Sequence, residues 1–333
     1  MLTLIRGRTI CQRSLGSRKL KIVVTGAEGY IGSALVKSLI GDFRSDVVIT
    51  ALDLKAQNAS VGNSCKSISG DISDLQRWKQ VLSGGVDVVV HLAAIPNSAM
   101  CIADPIRAVR TNISGVEVAL RASSGHNLLF IFVSSQTVYG GSRMGLAKET
   151  WPVAPKDLYS LTKLAGEYMV RSYDDAGLLR GVILRVSSVY GVGARANLNQ
   201  IPGKMVADCL RSGEITLVAS ENIRKPGGQV VDLVHVRDVV NAIRLTIENG
   251  NEVAGECLNI SSGRGYPVAA VGRLVAHTAT KKGLVKGVVF RQAFRHTTLI
   301  PRLVLSNSRS RHLLGWKPTI ALREGIEELF QYA

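Results

Sequence analysis

The sequence predicts an α/β fold built on a doubly wound parallel sheet, with a smaller C-terminal lobe. From Leu20 onward, short apolar runs alternate with helical patterns, which is typical of a parallel sheet covered by helices on both faces. Beyond Gly191 the pattern becomes irregular, with loop-rich segments between shorter elements. A chain of 333 residues, 46% of them apolar, is long enough to bury a full core.

The order of the elements follows from these patterns. Apolar runs predict strands near residues 20–25, 46–52, 86–92, 128–134 and 181–186. Asp104 and Pro105 supply a cap and a first-turn proline for a helix that runs through Ala122, and a second long helix is expected around 157–177. We therefore expect a basic tail over 1–18, the sheet domain over 19–190, and mainly the smaller lobe over 191–333, with some of its segments returning to the core of the sheet domain.

Composition argues against several classes of protein. The longest apolar runs have strand length, well short of the roughly 20 residues of a membrane span, so no membrane association is expected. The five cysteines are scattered, without a CxxC pair or histidines at metal-ligand spacing, and predict neither disulfides nor a metal site. Reduced thiols favour the cytoplasm. Residues 1–18 are rich in Arg and Ser and lack acids, so they fit a disordered tail or a mitochondrial presequence, and the second interpretation would place the protein in the matrix.

The formal net charge of +16 is unevenly distributed. Besides the basic N-terminus, the segment from Cys257 to Leu322 contains no Asp or Glu, but eleven Lys and Arg. Neither block interleaves aromatic residues or matches a nucleic-acid module, so no nucleic-acid partner is expected. The second block is either a solvated basic face or an anion-binding part of the smaller lobe.

A glycine-rich turn directly follows the first strand. Gly26 allows a tight turn, Gly29 lets the backbone approach a phosphate, and Gly32 lets the next helix pack on the strand. The N-terminus of that helix offers free N–H groups and a positive dipole end to an anion. These features predict a Rossmann-type dinucleotide site.

The end of the second predicted strand indicates which dinucleotide binds. Asp53 follows the glycines by about 20 residues, where a carboxylate accepts hydrogen bonds from both ribose hydroxyls and repels a 2′-phosphate. NAD is therefore expected rather than NADP. Asp71 and Ile72 lie where a third loop would hold the adenine, although an ordinary helix cap has the same sequence.

Several motifs, in order, resemble those of one enzyme family. They include Thr25–Gly32, Gly70–Asp71, His91–Ala94, Thr111–Asn112, Ser134–Gly140, Tyr159–Lys163, Leu184–Arg185, Val189–Gly191, Asp232–Val239, Leu258–Ile260 and Leu314–Pro318. From Leu20 to about Tyr332 the chain resembles an extended short-chain dehydrogenase/reductase of the NAD-dependent sugar epimerase/dehydratase family. The resemblance implies that the cofactor-binding residues are Gly26, Glu28, Gly29, Tyr30, Ile31, Asp53, Asp71, Ile72, Leu92, Ala93, Ala94, Tyr159 and Lys163.

Tyr159 and Lys163 are four residues apart, so on a helix they share a face. A free tyrosine has a pKa of about 10 and is a poor base near neutrality, but neighbouring positive charge lowers such a pKa. We expect Lys163 and the oxidised nicotinamide to supply that charge. The resemblance adds Ser135 as the group that bonds the reacting oxygen, and Asn112 as a structural or water-holding active-site residue, with a buried amide as the alternative.

The residues after Ser135 bear on the reaction. The dehydratases of the family need acidic groups there, whereas this chain has Gln136 and Thr137, so dehydration is disfavoured. We expect epimerisation of a nucleotide-diphosphate sugar through a transient ketone. The alternatives are a dehydrogenase acting on a non-nucleotide sugar, sugar acid or related alcohol, and a non-catalytic dinucleotide sensor.

Substrate contacts are predicted at Gln136, Thr137, Ser188, Arg295 and Arg302. Three positions depart from the nucleotide-sugar pattern: Val231 replaces an Arg, Ser188 replaces an Asn, and Arg295–Thr298 replaces an Arg-x-Gly-Asp turn. The resemblance also implies a homodimer formed through the helices around 104–122 and 157–177.

Overall fold

The computed structural model describes residues 19–43, 46–55, 64–141, 145–194, 196–295 and 300–333. The tail or presequence expected over residues 1–18 lies outside them. The strands are β1 (Leu20–Thr25), β2 (Val47–Asp53), β3 (Cys65–Ser69), β4 (Val88–His91), β5 (Leu129–Ser135), β6 (Arg180–Val186), β7 (Ser188–Tyr190), β8 (Glu214–Ser220), β9 (Val230–His235), β10 (Cys257–Ile260), β11 (Gly265–Pro267) and β12 (Val289–Arg295). The helices are α1 (Tyr30–Phe43), α2 (Leu75–Leu82), α3 (Ser98–Ala103), α4 (Pro105–Val109), α5 (Gly115–Ser123), α6 (Leu158–Asp175), α7 (Gly203–Ser212), α8 (Val236–Glu248), α9 (Val268–Lys281), α10 (Ser308–Leu314) and α11 (Leu322–Leu329).

A seven-stranded parallel sheet in the order β10-β6-β5-β4-β1-β2-β3 forms the centre of the molecule, which confirms the predicted fold class. The predicted strands correspond to β1, β2, β4, β5 and β6. The sequence argument missed β3 and β10. In β3 only Cys65 is buried, so this edge strand has no apolar run to reveal it.

Helices cover both faces of this sheet, because its strands carry apolar side chains on both sides. In β1, Ile22 and Val24 join one core cluster, while Val23 joins the other. The first cluster also contains Trp316 and residues of α1 and α8, and the second contains Trp78 and residues of α5. The glycine turn after β1 is therefore mounted on a rigid, fully buried strand.

The strand order reverses between β1 and β4, which are direct neighbours. Thr25, the last residue of β1, pairs in register with His91, the last residue of β4. A crevice at the carboxyl ends of the strands is expected at such a reversal, and open α/β sheets bind ligands there. The turns after β1 and β4 thus meet at this position.

The helix predicted to run through Ala122 is interrupted. Asp104 accepts a hydrogen bond from the Arg107 amide and Pro105 occupies the first turn, as predicted. However, α4 and α5 are separated by a π-helical segment over Arg110–Ser114. Such a segment widens the helix locally and is frequent at functional sites. It contains the buried Asn112.

The smaller lobe has its own sheets and core. β7, β9 and β11 form a three-stranded sheet, and β8 pairs in parallel with β12. A third apolar cluster packs under these strands and includes residues of α7, α9 and α11. β10 lies in this part of the sequence but pairs with β6 in the large sheet, and α8 packs against α1.

Three findings on the described residues concern the membrane, metal and disulfide classes considered from composition. No described helix combines the length and apolarity needed to cross a bilayer. No group of three or more potential metal ligands occurs in this part of the chain. Cys65, Cys101, Cys209 and Cys257 are free thiols.

Candidate active site

The glycines of the turn after β1 stand at positions that leave no room for a side chain. At Gly26, where φ is +65°, a Cβ would lie 2.8 Å from the Ala93 nitrogen, and at Gly32 it would lie 2.1 Å from the Gly26 carbonyl oxygen. The Gly29 amide donates to the same carbonyl at 2.9 Å. The turn therefore brings bare backbone to the start of α1, where the first amides have no partner within the helix.

Replacing Gly32 by Ala is expected to cost about 1–3 kcal/mol in free energy of unfolding, because a backbone oxygen blocks the new methyl group. It should also weaken dinucleotide binding, since the turn must shift. The matched control is Gly41→Ala in the same helix, where nothing lies within 4 Å of the new Cβ. That change should be neutral or stabilising because Ala favours helix. Equal stability of the two variants in chemical denaturation would contradict this account of the turn.

Thr25 links the turns after β1 and β4. Its Oγ1 accepts hydrogen bonds from the amides of Leu92 and Ala93, both at 3.2 Å, and lies 3.3 Å from His91 Nδ1. Burial lowers the pKa of His91 to about 3, so the ring is neutral, and its Nδ1 and the Thr25 hydroxyl share a hydrogen bond. Leu92, Ala93 and Ala94 are thus held beside the glycine turn, with the Leu92 and Ala93 amides already bonded to Thr25. The sequence argument did not single out Thr25.

Asp53 ends β2 and faces the glycine turn. Its carboxylate accepts hydrogen bonds from the amides of Glu28 at 3.0 Å and Lys55 at 3.1 Å. A carboxylate has about four acceptor positions, so two such bonds leave capacity for ribose hydroxyls. This arrangement fixes both the carboxylate and the backbone of Glu28 at the end of the strand.

Three residues predicted to bind the cofactor, Tyr30, Ile31 and Ile72, have side chains that make structural contacts. The Tyr30 hydroxyl donates to the Gly191 carbonyl at 2.8 Å, and Ile31 packs against the sheet core. The Ile72 side chain is buried in the second core cluster and its carbonyl accepts from Trp78 Nε1 at 2.8 Å. The Ile72 side chain is thus part of the core, and a contact of this residue with the adenine stays a prediction. Asp71 accepts from the Ser73 amide at 2.8 Å and pairs with Arg110, whereas Asp74 caps α2.

Ser135 and Tyr159 are in direct contact. Ser135 lies at the carboxyl end of β5 and Tyr159 in the first turn of α6, and their side chains are hydrogen-bonded. The Thr137 hydroxyl and amide also lie within bonding distance of Ser135 Oγ, at 3.0 and 3.3 Å. An Asp157–Ser160 capping box defines the start of α6 and hence the position of Tyr159.

Lys163 lies one turn further along α6 and is 5% exposed. Its ammonium donates to the Val133 carbonyl at 2.9 Å and lies 5.1 Å from the centroid of the Phe132 ring. Burial lowers the pKa of Lys163 to about 8, while the Glu167 carboxylate acts in the opposite direction. The lysine is thus fastened to the same strand end that carries Ser135.

The expected acidity of Tyr159 is absent in the protein alone. Burial is the largest influence and raises the pKa of Tyr159 to about 12, and the hydrogen bond to Ser135 offsets it only in part. The ammonium of Lys163 donates to the Val133 carbonyl, and the acidity expected of Tyr159 beside the oxidised nicotinamide stays a prediction. At neutral pH Tyr159 is therefore a proton donor.

Asn112 has a structural position. Its Oδ1 accepts from the Ile95 amide at 2.7 Å, and its Nδ2 donates to the Ile95 carbonyl at 3.2 Å and to Thr162 Oγ1 at 3.0 Å. With its amide nitrogen and oxygen both engaged, Asn112 ties the loop after β4 to α6. The arrangement matches the buried-amide alternative, and a water-holding role stays a prediction.

A buried ion pair between Glu167 and Arg185, which the sequence analysis did not predict, supports the site residues on β5 and α6. Glu167, four residues after Lys163, accepts from Ser134 Oγ at 2.6 Å and from Arg185 Nη2 at 2.6 Å. The two charged side chains are 2% and 3% exposed. Because Ser134 and Arg185 are register partners in β5 and β6, the pair fastens α6 to both strands. An acid four residues beyond Lys163, on the same helix face, was the available signal.

The predicted substrate residues are only partly brought together. Gln136 Nε2 donates to Ser188 Oγ at 3.0 Å, which joins the end of β5 to β7. Arg302 forms an isolated β-bridge with Val230 of β9, so the two side chains lie on the same face. The next residue, Val231, packs against the lobe's apolar cluster. Arg302 thus does not take the place of an arginine at position 231. Arg295 ends β12, and its side chain lies outside the described residues.

These residues fit a bound dinucleotide. A turn whose three glycines leave no room for a Cβ lies before the open amides of α1, and a carboxylate lies at the end of β2. The Ser135–Tyr159 pair and Lys163 lie at the end of β5, at the same sheet edge. The site can therefore hold a diphosphate and a ribose while presenting a hydroxyl donor to a substrate oxygen.

Comparison with known proteins agrees with this geometry. The profile of the NAD dependent epimerase/dehydratase family matches residues 22–261. A dTDP-glucose 4,6-dehydratase of Streptomyces griseus is 30% identical over 320 residues, covering 92% of this chain and 91% of that protein.

Solved structures of similar proteins have the same fold. The UDP-glucose 4-epimerase of Thermotoga maritima, crystallised with UDP-glucose, is 26% identical with a TM-score of 0.81, covering 94% of this chain and 98% of that one. The UDP-glucose 4-epimerase of Thermus thermophilus, in complex with NAD, has the same identity of 26%, TM-score of 0.81 and coverage of 94% and 98%.

Proposed function

The chain belongs to the NAD-dependent epimerase/dehydratase family, and from this premise we propose that it is an NAD-dependent epimerase of a nucleotide-diphosphate sugar. The observation that carries the proposal is the hydrogen-bonded Ser135–Tyr159 pair beside Lys163, at the sheet edge that also presents the glycine turn. Structural relatives that share this fold at 26% identity include UDP-glucose 4-epimerases.

In the proposed reaction, the glycine turn and Asp53 would hold NAD, which would supply reversible hydride transfer at the sugar carbon. Tyr159 takes the proton of the reacting hydroxyl during oxidation and gives it back to the ketone oxygen during reduction, while Ser135 holds that oxygen. The pKa of Tyr159, raised to about 12 in the protein alone, suits proton donation. Proton removal requires added positive charge near the phenol, which the oxidised nicotinamide would bring.

The residues beside the pair favour epimerisation over dehydration. An elimination needs an acid to protonate the departing hydroxyl, and neither Gln136 nor Thr137 has a carboxyl group. The hydroxyl of Thr137 is bonded to Ser135, which keeps it next to the reacting oxygen. We therefore propose that the ketone is reduced again rather than dehydrated.

A second candidate is an NAD-dependent dehydrogenase of a non-nucleotide sugar or sugar acid. The observation that favours it is Val231, which packs into an apolar cluster and offers no cation to a diphosphate.

Both candidates are tested with one panel of UDP- and dTDP-sugars, free hexoses and uronic acids, each supplied with NAD. Inversion of a sugar carbon without accumulation of NADH would support the epimerase. Net formation of NADH would support the dehydrogenase, and loss of water from the sugar would indicate a dehydratase. Binding of NAD without turnover of any sugar would instead support a sensor.

We also propose that two copies of the chain associate through the α3, α4 and α6 region. Large apolar side chains are exposed there, with Ile106 at 82%, Ile102 at 67% and Leu161 at 52%. Such a patch on a protein surface is typical of a protein–protein interface. The second copy is the natural partner, since most oligomers are symmetric homo-oligomers.

Ile106→Glu is expected to convert the dimer into a monomer in analytical ultracentrifugation, because it places a charge in an apolar interface. The control is Val289→Glu, since Val289 is also exposed, at 53%, but lies on β12 in the smaller lobe. A wild-type protein that sediments as a monomer would refute the proposed dimer. Dissociation caused by V289E and not by I106E would place the interface elsewhere.

A further inference from the structure

The first residue of α1 contacts both parts of the molecule. Tyr30 begins the helix, so its backbone lies at the N-terminus that the glycine turn offers to a phosphate. Its side-chain hydroxyl donates to the Gly191 carbonyl at 2.8 Å, across 161 positions of sequence. Burial raises the pKa of Tyr30, so the phenol stays protonated and remains a donor. One residue therefore joins the cofactor turn to the loop that follows β7 of the smaller lobe.

Gly191 is a position that only glycine can occupy. Its φ is +100°, and a Cβ there would lie 2.0 Å from His235 Nε2. The carbonyl that accepts from Tyr30 also accepts from the Asn197 amide at 3.4 Å. The loop that leads from β7 towards α7 is therefore closed at the same oxygen atom that the Tyr30 hydroxyl holds.

The contacts continue to the C-terminal helix α11. The His235 side chain is fully buried, and its Nε2 lies 3.4 Å from both the Val192 nitrogen and Glu328 Oε2. At Gly325, on the same helix as Glu328, a Cβ would lie 2.9 Å from the His235 ring. Tyr190, the last residue of β7, meets that ring edge-on with centroids 5.3 Å apart. Packed groups thus connect the start of α1 with α11.

Strand β7 is three residues long and is held at both ends. Gln136, next to Ser135, donates through Nε2 to Oγ of Ser188, the first residue of β7, at 3.0 Å. Tyr30 holds Gly191, which directly follows the last residue of β7. One anchor comes from beside the proposed proton-transfer pair and the other from the cofactor turn. Because β7 pairs with β9, the small sheet depends on both anchors.

Building on the proposed function, we propose that Tyr30 is a positioning residue that couples NAD binding to the affinity of the smaller lobe for the nucleotide of the substrate. In one state the first turn of α1 is ordered and the hydroxyl of Tyr30 holds Gly191. In the other state this bond is open and the loop after β7 is released. A ligand that orders the start of α1 favours the first state, because it has a higher affinity for that state.

The first test measures the dissociation constants of NAD and UDP by calorimetry, each alone and with the other present. In wild type, each ligand should tighten the binding of the other by the same factor of about 5 to 150, because coupling between two sites is reciprocal. Tyr30→Phe keeps the ring that packs against the sheet core but loses the hydrogen bond. Its coupling factor should fall to near one, while the affinity for each ligand alone changes little. A wild-type factor of one, or an unchanged factor in Y30F, would overturn the proposal.

Tyr190→Phe is the matched control. Its hydroxyl also donates to a backbone carbonyl, that of Ala321 at 3.5 Å, but this residue does not lie on the cofactor helix. Y190F should therefore keep the wild-type coupling factor. Equal losses of coupling in Y30F and Y190F would assign the effect to a general weakening of this core and would contradict a specific role of Tyr30.

Gly191→Ala is the second variant, because its methyl group displaces the loop from His235. If Tyr30 acts through Gly191, adding Y30F to G191A should cause no further loss of coupling. An additional loss would show that Tyr30 acts by another route. Thermal unfolding checks that G191A is folded, and the comparison of Y30F with Y190F stands without it.

Hydrogen exchange separates this proposal from the proposed function. Adding NAD to wild type should slow amide exchange in α11, at the far end of these contacts, as well as in the glycine turn. In Y30F only the glycine turn should be protected. If UDP does not bind, the nucleotide-sugar proposal fails, whereas protection of α11 that depends on Tyr30 still supports the coupling. If NAD protects α11 equally in both proteins, or in neither, the coupling fails even when the enzyme epimerises a nucleotide sugar.

Discussion

Tyr159→Phe is expected to lower kcat by at least about 10²–10⁴-fold, because it removes the only proposed proton-transfer group in contact with Ser135. The phenyl ring keeps the packing of Tyr159 against the cluster around Ile95 and Cys101. Affinity for NAD should therefore change little. Turnover is measured with the best substrate of the sugar panel, and NAD affinity by calorimetry.

Tyr168→Phe provides the matched control. Tyr168 lies on the same helix but is 58% exposed, so loss of its hydroxyl should leave kcat unchanged. If Y159F retained wild-type turnover, Tyr159 would not be the proton-transfer group. If instead Y159F lost NAD binding in parallel with activity, its hydroxyl would serve the cofactor rather than the reaction.

Glu167→Gln is expected to have the largest effect on stability. It leaves the Arg185 guanidinium buried without a balancing charge, and breaking such a pair costs about 3–5 kcal/mol. Replacing both partners, as in the double variant Glu167→Met and Arg185→Met, should recover much of this loss because no buried charge remains. The free energy of unfolding in urea measures both effects.

The control for this prediction is an ion pair that is partly exposed to solvent. Glu248→Gln removes the partner of Arg244, one turn away on the surface of α8, and should cost no more than about 0.5 kcal/mol. Equal losses in E167Q and E248Q would mean that burial does not govern the contribution of the pair. A double variant as unstable as E167Q would assign the loss to packing rather than to charge.

Much of the fold was predictable because it depends on short-range patterns. The long apolar runs identified β1, β2, β4, β5 and β6, and the glycines at fixed spacing identified the turn at the sheet reversal. β3 escaped prediction because an edge strand with one buried residue carries no apolar signal. The π-helical segment escaped because it depends on the buried contacts of Asn112 with Ile95 and Thr162.

The candidate site could also be predicted only in part from the sequence. The spacing of Tyr159 and Lys163 predicted a shared helix face, and the family resemblance implied Ser135, at the end of β5, as their neighbour. Neither indicated that Lys163 is bonded to the Val133 carbonyl, or that burial raises the pKa of Tyr159. Ile72 was assigned to the cofactor on its position in the motif, and its side chain is in the core.

The sequence by itself determined the parallel sheet, the glycine turn, the carboxylate after β2 and the residue types available for proton transfer, because these follow from periodicity and spacing over a few residues. Only the tertiary structure decided which polar groups are buried and which atoms they meet. Gln136 and Ser188 are separated by 52 positions, and Ser134 and Glu167 by 33. Their protonation and hydrogen bonds depend on desolvation and on long-range contacts, which no local pattern contains.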